Sequence, residues 1–140
     1  MLYKIPKIIS PELLKILDEM GHGDEIVIGD GNFPAHSNNQ NVIRLDGHGT
    51  EEVLDAVLEL FPLDTMSENY TFVMATSDGS NPPIWTKYQE TLKKHGWKSD
   101  LSQIERFAFY ERTKKAYCVI ETTETALSAN IILKKGVITE

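Results

Sequence analysis

A histidine between two glycines, Gly21-His22-Gly23, is a place where residue type and spacing together suggest chemistry. Both neighbours lack side chains, so a ligand can approach the imidazole ring closely, and the glycines allow backbone angles that other residues avoid. Because an imidazole can donate or accept a proton near neutral pH, His22 is a candidate acid or base. The alternative is structural: Gly21 caps a helix, Gly23 forms a turn, and His22 is an ordinary surface residue.

Two further polar residues adjoin apolar runs. Asp30 follows the run 26–28, and the carboxyl ends of strands in open α/β sheets are common ligand sites. A carboxylate there can accept hydrogen bonds from two sugar hydroxyls, although Asp30 fits an Asx turn equally well. Asn130 opens the last apolar run and offers an amide that both donates and accepts hydrogen bonds.

The segment 105–112, Glu-Arg-Phe-Ala-Phe-Tyr-Glu-Arg, mixes aromatic rings with charged groups at close intervals. Such side chains can stack on a sugar and form hydrogen bonds to its hydroxyls. The same residues also fit an amphipathic segment with Phe107, Phe109 and Tyr110 in the core and Arg112 paired with a surface acid. The sequence leaves both interpretations open.

Composition and motifs argue against several kinds of site. The chain has 21 acidic and 14 basic residues and a net charge of −7, which is unfavourable for binding nucleic acid. The four histidines show no zinc-site spacing, and the dinucleotide, P-loop and nucleophile-elbow motifs are absent. We therefore expect no metal and no cofactor. The single cysteine, Cys118, lies in an apolar run, where a thiol is typically buried and inert.

Nothing in the sequence points to a membrane or a secretory route. No stretch approaches 18 consecutive apolar residues, and residues 1–9 lack the apolar core of a signal peptide. We expect a cytoplasmic protein whose partner is a small neutral molecule.

The periodicity of the apolar residues predicts the elements that position these candidates. Ser10 is expected to cap the first helix and Thr50 the second. The predicted helices cover residues 11–20, 51–61, 83–95 and 107–115, and the predicted strands cover 26–28, 42–43, 70–75, 117–120 and 131–133. This alternation predicts a single α/β domain over residues 1–140, with a mostly parallel sheet flanked by helices.

Three stretches of the chain resemble the ribose pyranase and L-fucose mutarotase family, and its fucose branch more than its ribose branch. They are IISPELLKILDEMGHGDEIVIGDGNFPAHS, VIRLDG and RFAFYERTKKAYCVIETTETALSANIILKKGV. Only the middle of the chain, residues 63–103, diverges. The resemblance implies a ribose pyranase-like fold and a homo-oligomeric ring, commonly a decamer of two stacked pentamers with sites at the subunit contacts.

The resemblance also implies roles for individual residues. His22 matches the catalytic proton donor. The implied substrate-binding residues are Asp30, Arg106, Ser128, Ala129 and Asn130. Arg106 stands where the ribose branch has a histidine, which favours L-fucose as the substrate. Ser128 stands where the family has the tyrosine of a Tyr-x-Asn motif, so either another aromatic compensates or the pocket is wider and the sugar preference altered.

The expected activity is that of an isomerase: interconversion of the α and β anomers of L-fucopyranose without a cofactor. One alternative is a pyranase or mutarotase for ribose or another free sugar. Arg106 argues against this alternative, whereas Ser128 in place of the family's tyrosine argues for it. Two others are a sugar-binding protein without catalysis and an interaction module whose assembly is its function.

Overall fold

The structure is a computed structural model that describes residues 1–140. Its helices are α1 (Pro11–Glu19), α2 (Ala35–Asn38), α3 (Thr50–Leu58), α4 (Pro83–Lys94) and α5 (Arg106–Lys115). Its strands are β1 (Glu25–Gly29), β2 (Val42–Leu45), β3 (Thr71–Met74), β4 (Ser102–Ile104), β5 (Cys118–Thr122) and β6 (Ile131–Lys134). Every helix and strand predicted above is present, whereas α2 and β4 were not predicted.

The six strands form one sheet in the order β2-β5-β1-β6-β3-β4. β1, β2, β5, β3 and β4 point the same way, and β6 runs antiparallel to both of its neighbours, β1 and β3. The predicted mostly parallel sheet is therefore confirmed. The reversed last strand was not predicted, because β5 and β6 read alike as short apolar runs.

The central strand β1 is buried on both faces, as its continuous apolar run predicts. Ile26 and Ile28 belong to the larger core, which packs under α1, α3 and α4. Val27 faces the other way and joins a smaller core with Phe33 and Phe109 of α5. A rigid β1 thus fixes the positions of the loops at its two ends.

The helix starts show one correct prediction and one wrong one. Ser10 caps α1, and its Oγ accepts a hydrogen bond from the Leu13 amide at 3.1 Å. Thr50 does not cap α3: the N-cap is Gly49, and the Thr50 amide donates to Oε1 of Glu124 at 3.1 Å. A glutamate 74 positions away therefore takes the role that local spacing assigned to threonine.

Two expectations about exposure can be compared with the structure. Cys118 is fully buried in β5, and burial raises the pKa of its thiol to about 12, which keeps it protonated and inert as expected. No helix has the length and apolar character needed to cross a bilayer.

Candidate functional site

The candidate residues fall at two opposite edges of the sheet. The carboxyl edge, where β1 ends, carries Asp30 and Asn130 together with Ser128, Ala129 and Arg106. The amino edge, where β1 begins, carries His22 and Asp64, which are in contact.

Asp30 and Asn130 hold each other in place at the carboxyl edge. The Asp30 amide donates to Oδ1 of Asn130 at 2.8 Å, across 100 positions of sequence. Oδ1 of Asp30 accepts from the Asn32 amide at 3.0 Å, so the Asx turn considered above is present. Burial raises the pKa of Asp30, and hydrogen bonds from neighbouring amides partly offset this. The turn fixes the Asp30 carboxylate beside the Asn130 amide, and the two side chains together can accept and donate hydrogen bonds to a ligand.

Helix α4 holds the loop that supplies Ser128 and Ala129. Nε1 of Trp85 donates to the Ser128 carbonyl at 3.0 Å. The Tyr88 hydroxyl donates to the Ala129 carbonyl at 2.5 Å and lies 2.5 Å from Oγ1 of Thr50. Ser128 has a φ of 56°, a left-handed conformation that side-chain-bearing residues adopt at a cost. Two buried aromatic side chains of α4 thus hold this loop in place.

Arg106 is the first residue of α5 and is exposed at the carboxyl edge. Its Nε donates to the Tyr110 hydroxyl at 3.0 Å, which leaves the terminal guanidinium nitrogens available. Phe109 is buried, but Phe107 is 65% exposed, so the core interpretation of this segment holds only in part. The same interpretation paired Arg112 with a surface acid. Arg112 does pair with an acid, Glu25, at 2.6 Å, although the Glu25 side chain is only 14% exposed.

His22 lies at the amino edge, in the loop between α1 and β1. Gly23 has a φ of 89° and makes the turn expected of it. Nε2 of His22 lies 2.9 Å from Oδ1 of Asp64, and the histidine side chain is 44% exposed, against 4% for the aspartate. A carboxylate can only accept, so Nε2 carries the hydrogen and Nδ1 is the nitrogen able to exchange a proton with a ligand.

Asp64 was missed by sequence reasoning. It is 42 residues from His22, in the divergent middle of the chain, and no motif marks it. Hydrogen bonds from the Ser67 hydroxyl and the His22 ring hold its pKa below the usual range, so it is ionised at neutral pH. An ionised aspartate behind an imidazole fixes the orientation of the ring.

The two edges are separated by the length of β1. Five strand residues rise about 3.3 Å each, so about 16 Å of strand lies between the loops that carry His22 and Asp30. One chain therefore brings Asp30, Ala129 and Asn130 together but does not bring His22 to them.

Glu121, at the carboxyl end of β5, is a buried carboxyl group that sequence reasoning also missed. It is 4% exposed, and its Oε1 has no hydrogen-bond partner. It pairs in register with Gly29, where a Cβ would lie 2.6 Å from Oε1, so only glycine fits beside it. Burial raises the pKa of Glu121 to about 7; nearby Arg44 lowers it and Asp30 raises it further.

A cleft of about 620 Å³ opens next to Ser128. It lies between the loop after β3, the start of α4 and the loop before β6, and none of the other predicted site residues lines it. It is an extension of the carboxyl edge on the side of α4.

Asp55, Glu59 and His95 form a further ionisable cluster, whose candidate ligand atoms all lie within 4.8 Å of one another. Nε2 of His95 is 2.7 Å from Oδ1 of Asp55, and Nζ of Lys94 is 3.0 Å from the same oxygen. With the lysine ammonium already paired there, the cluster is a salt-bridge network joining α3 to α4.

Comparison with known proteins finds similar sequences and similar structures that are both described as fucose mutarotases. Over 142 residues the chain is 51% identical to the fucose mutarotase of Homo sapiens, covering 96% of this chain and 92% of that protein. It aligns at a TM-score of 0.94 and 47% identity with the fucose mutarotase of Streptococcus pneumoniae in complex with L-fucose, covering 99% of this chain and 100% of that chain.

A more distant structure, Bacillus subtilis RbsD complexed with D-ribose, is 24% identical and aligns at a TM-score of 0.72, covering 93% of this chain and 95% of that one. It shows the shared fold alone and confirms the expected ribose pyranase-like architecture. Residues 3–138 match the RbsD / FucU transport protein family, and the chain belongs to that family.

Proposed function

We propose that this chain is a fucose mutarotase, an isomerase that interconverts the α and β anomers of L-fucopyranose. The observation that carries this proposal is identity of 47–51% over nearly the whole chain to fucose mutarotases, one of them in complex with L-fucose. The carboxylate of Asp30, the guanidinium of Arg106 and the amide of Asn130 can each form hydrogen bonds with the hydroxyl groups of a neutral sugar.

The reaction needs two proton transfers. As the bond between C1 and the ring oxygen breaks, the ring oxygen gains a proton and the C1 hydroxyl gives one to a base, either a side chain of the site or a water molecule, which leaves the open aldehyde. Rotation about the bond to C1 and reclosure on the other face, with the transfers reversed, gives the other anomer. His22 protonates the ring oxygen, while Asp30, Arg106 and Asn130 hold hydroxyls. A positioned acid typically contributes roughly 10²–10⁴-fold to the rate.

The site is completed by a second copy of the chain. His22 and Asp30 lie at opposite ends of β1, so a sugar bound by one chain's carboxyl edge meets the histidine of its neighbour. Exposed apolar side chains lie at both edges: Phe107 at the carboxyl edge and Met66 at the amino edge. Bringing the two edges together would bury these side chains. The assembly is a homo-oligomeric ring, a decamer by resemblance.

The alternative substrate is ribose or another free sugar, with the same chemistry. Ser128 favours this alternative because a small side chain faces an open cleft. Arg106 and the lower identity to the ribose-bound relative favour fucose.

The test is proton NMR magnetisation transfer between the two anomeric signals of L-fucose at equilibrium, with D-ribose run beside it. Catalytic amounts of the protein should speed exchange of L-fucose more than that of D-ribose. Preference for D-ribose would move the chain to the pyranase alternative. If exchange of both sugars stayed at the uncatalysed rate, the chain would be better described as a sugar-binding protein without catalysis.

The role of His22 is tested by His22→Ala, with His48→Ala as the matched control. His48 is also partly exposed and also contacts a carboxylate, Glu52, at 3.1 Å. His22→Ala should lower exchange by roughly 10²-fold or more. Its free energy of unfolding should fall by only about 1 kcal/mol, through loss of the hydrogen bond to Asp64. Equal rates in the two variants would remove His22 from the mechanism.

A further inference from the structure

The cleft beside Ser128 is larger than one monosaccharide needs. Its volume of about 620 Å³ falls within the roughly 300–1,000 Å³ range of pockets that bury drug-sized ligands. Thr76, Ser77 and Ser80 of the loop after β3 form one wall, and Glu124, Leu127 and Ser128 of the loop before β6 form the other.

Two residues that line the cleft connect directly to the carboxyl-edge binding groups. The Glu124 carbonyl accepts from the amide of Gly31, the residue after Asp30, at 2.8 Å. Ser128 is two residues before Asn130, whose side chain holds the Asp30 amide. Glu124 is also close enough to raise the pKa of Asp30. The cleft therefore adjoins the loop that leads to Asn130, and Ser128, which the resemblance places in the sugar site, is one of its lining residues.

The lining of the cleft restricts what can occupy it. Its charged lining residues are three acids, Glu51, Asp78 and Glu124, and one base, Lys87. An excess of negative charge disfavours phosphate and carboxylate substituents. The lining combines several hydroxyl groups with the aliphatic side chains of Ile84 and Leu127, which suits a neutral ring with polar edges and apolar faces.

We propose that the cleft is a second sugar subsite, so that the substrate class includes reducing disaccharides whose reducing-end aldose sits at Asp30 and Asn130 and whose neutral glycosyl substituent occupies the cleft. This inference rests on the proposed function. The substituent is on a hydroxyl other than that of C1, because anomer exchange requires a free C1 hydroxyl.

The test compares anomer exchange by magnetisation transfer in L-fucose, in a disaccharide of D-galactose linked to a non-anomeric hydroxyl of L-fucose, and in L-fucose phosphorylated on a non-anomeric hydroxyl. The wild-type protein should accelerate exchange in the first two and leave the phosphorylated sugar near background. Acceleration of L-fucose alone would overturn the subsite and leave the mutarotase proposal standing. Background exchange in all three would overturn both.

Ser77→Trp fills the cleft without touching the carboxyl-edge binding groups, since Ser77 is an exposed lining residue. Exchange of the disaccharide should fall about tenfold, while exchange of L-fucose is retained. Thr86→Trp, an exposed α4 residue outside the lining, is the matched control and should affect neither sugar. Equal losses for both sugars in Ser77→Trp, or no loss for the disaccharide, would overturn the assignment of the cleft.

Discussion

The two edges of the sheet differ in how completely one chain builds them. At the carboxyl edge, Asp30 and Asn130 are 8% and 6% exposed and are locked by the chain's own hydrogen bonds. At the amino edge, the His22 side chain is 44% exposed on a loop and is oriented by Asp64 alone. A single chain thus preforms the part proposed to hold the sugar, whereas the side chain of its candidate proton donor is partly exposed to solvent.

The largest expected effect follows from placing His22 and Asp30 of one site on different chains. His22→Ala and Asp30→Asn should each be nearly inactive alone. Oligomers reassembled from an equal mixture should regain activity, because about one quarter of the contacts pair an intact His22 with an intact Asp30 of another chain. The measurement is L-fucose anomer exchange before and after unfolding and refolding the two variants together.

Wild-type protein taken through the same refolding, and the two variants mixed without unfolding, are the controls. If the refolded mixture stays as inactive as the separate variants, both residues of a site belong to one chain. The contrast between the edges would then have no bearing on catalysis.

The edges should also respond to pH with opposite signs. The folded-state pKa of Glu121 is raised from 4.5 to about 7, so the folded protein binds a proton that the unfolded chain has lost, and stability falls as pH rises between those values. Glu121→Gln should remove this dependence of the free energy of unfolding on pH, which amounts to about 3 kcal/mol at most across that interval. Its readout is urea unfolding from pH 4.5 to 8.

Asp64 has a lowered pKa, so its contribution is present above pH 3.8 and is lost as pH falls below that value. Asp64→Asn should therefore change acid unfolding and leave the slope between pH 4.5 and 7 intact. Glu111→Gln, which alters an exposed carboxylate paired with Lys114, is the control and should leave that slope unchanged. A wild-type slope retained in Glu121→Gln would contradict the buried-carboxyl interpretation.

A smaller effect separates the two edges kinetically. Asp64→Asn keeps the size of the side chain that orients His22 but removes its charge, so turnover should fall about tenfold with KM little changed. Asn130→Ala at the carboxyl edge should instead raise KM. Saturation curves of anomer exchange against L-fucose concentration measure both, and a change of KM in Asp64→Asn would place Asp64 among the groups that hold the sugar.

The sequence predicted most of the fold because the information was local. Proline after Ser10 marked the start of α1, and the continuous apolar run of β1 marked a strand buried on both faces. The antiparallel direction of β6 and the capping of α3 by Glu124 depend on contacts far along the chain. No local pattern encodes such contacts.

The candidate site was predicted unevenly for the same reason. Asp30 and Asn130 each adjoin a strand end, so their proximity follows from the sheet. Asp64 and Glu121 carry no motif and become notable only through what folding places beside them: an imidazole in one case and a buried, unpartnered environment in the other. The distance between His22 and Asp30 could not be predicted from their separation of eight positions in sequence. Residues that far apart can be close together across a turn or, as here, lie at opposite ends of a strand.

The smallest expected effect concerns the backbone at each edge. Ser128 at the carboxyl edge has a φ of 56°, where an ordinary residue pays roughly 1–2 kcal/mol, whereas the amino edge uses Gly23, with a φ of 89°, for its turn. Ser128→Gly should therefore raise the free energy of unfolding by about 0.5 kcal/mol, after allowing for the greater freedom of glycine in the unfolded chain. Gly23→Ala should lower it by about 1 kcal/mol. Ser128→Ala is the control for the side chain, because alanine keeps the backbone strain and should leave the free energy of unfolding unchanged. If Ser128→Ala raised the free energy of unfolding as much as Ser128→Gly, the serine hydroxyl and not φ would be the source of the cost at the carboxyl edge.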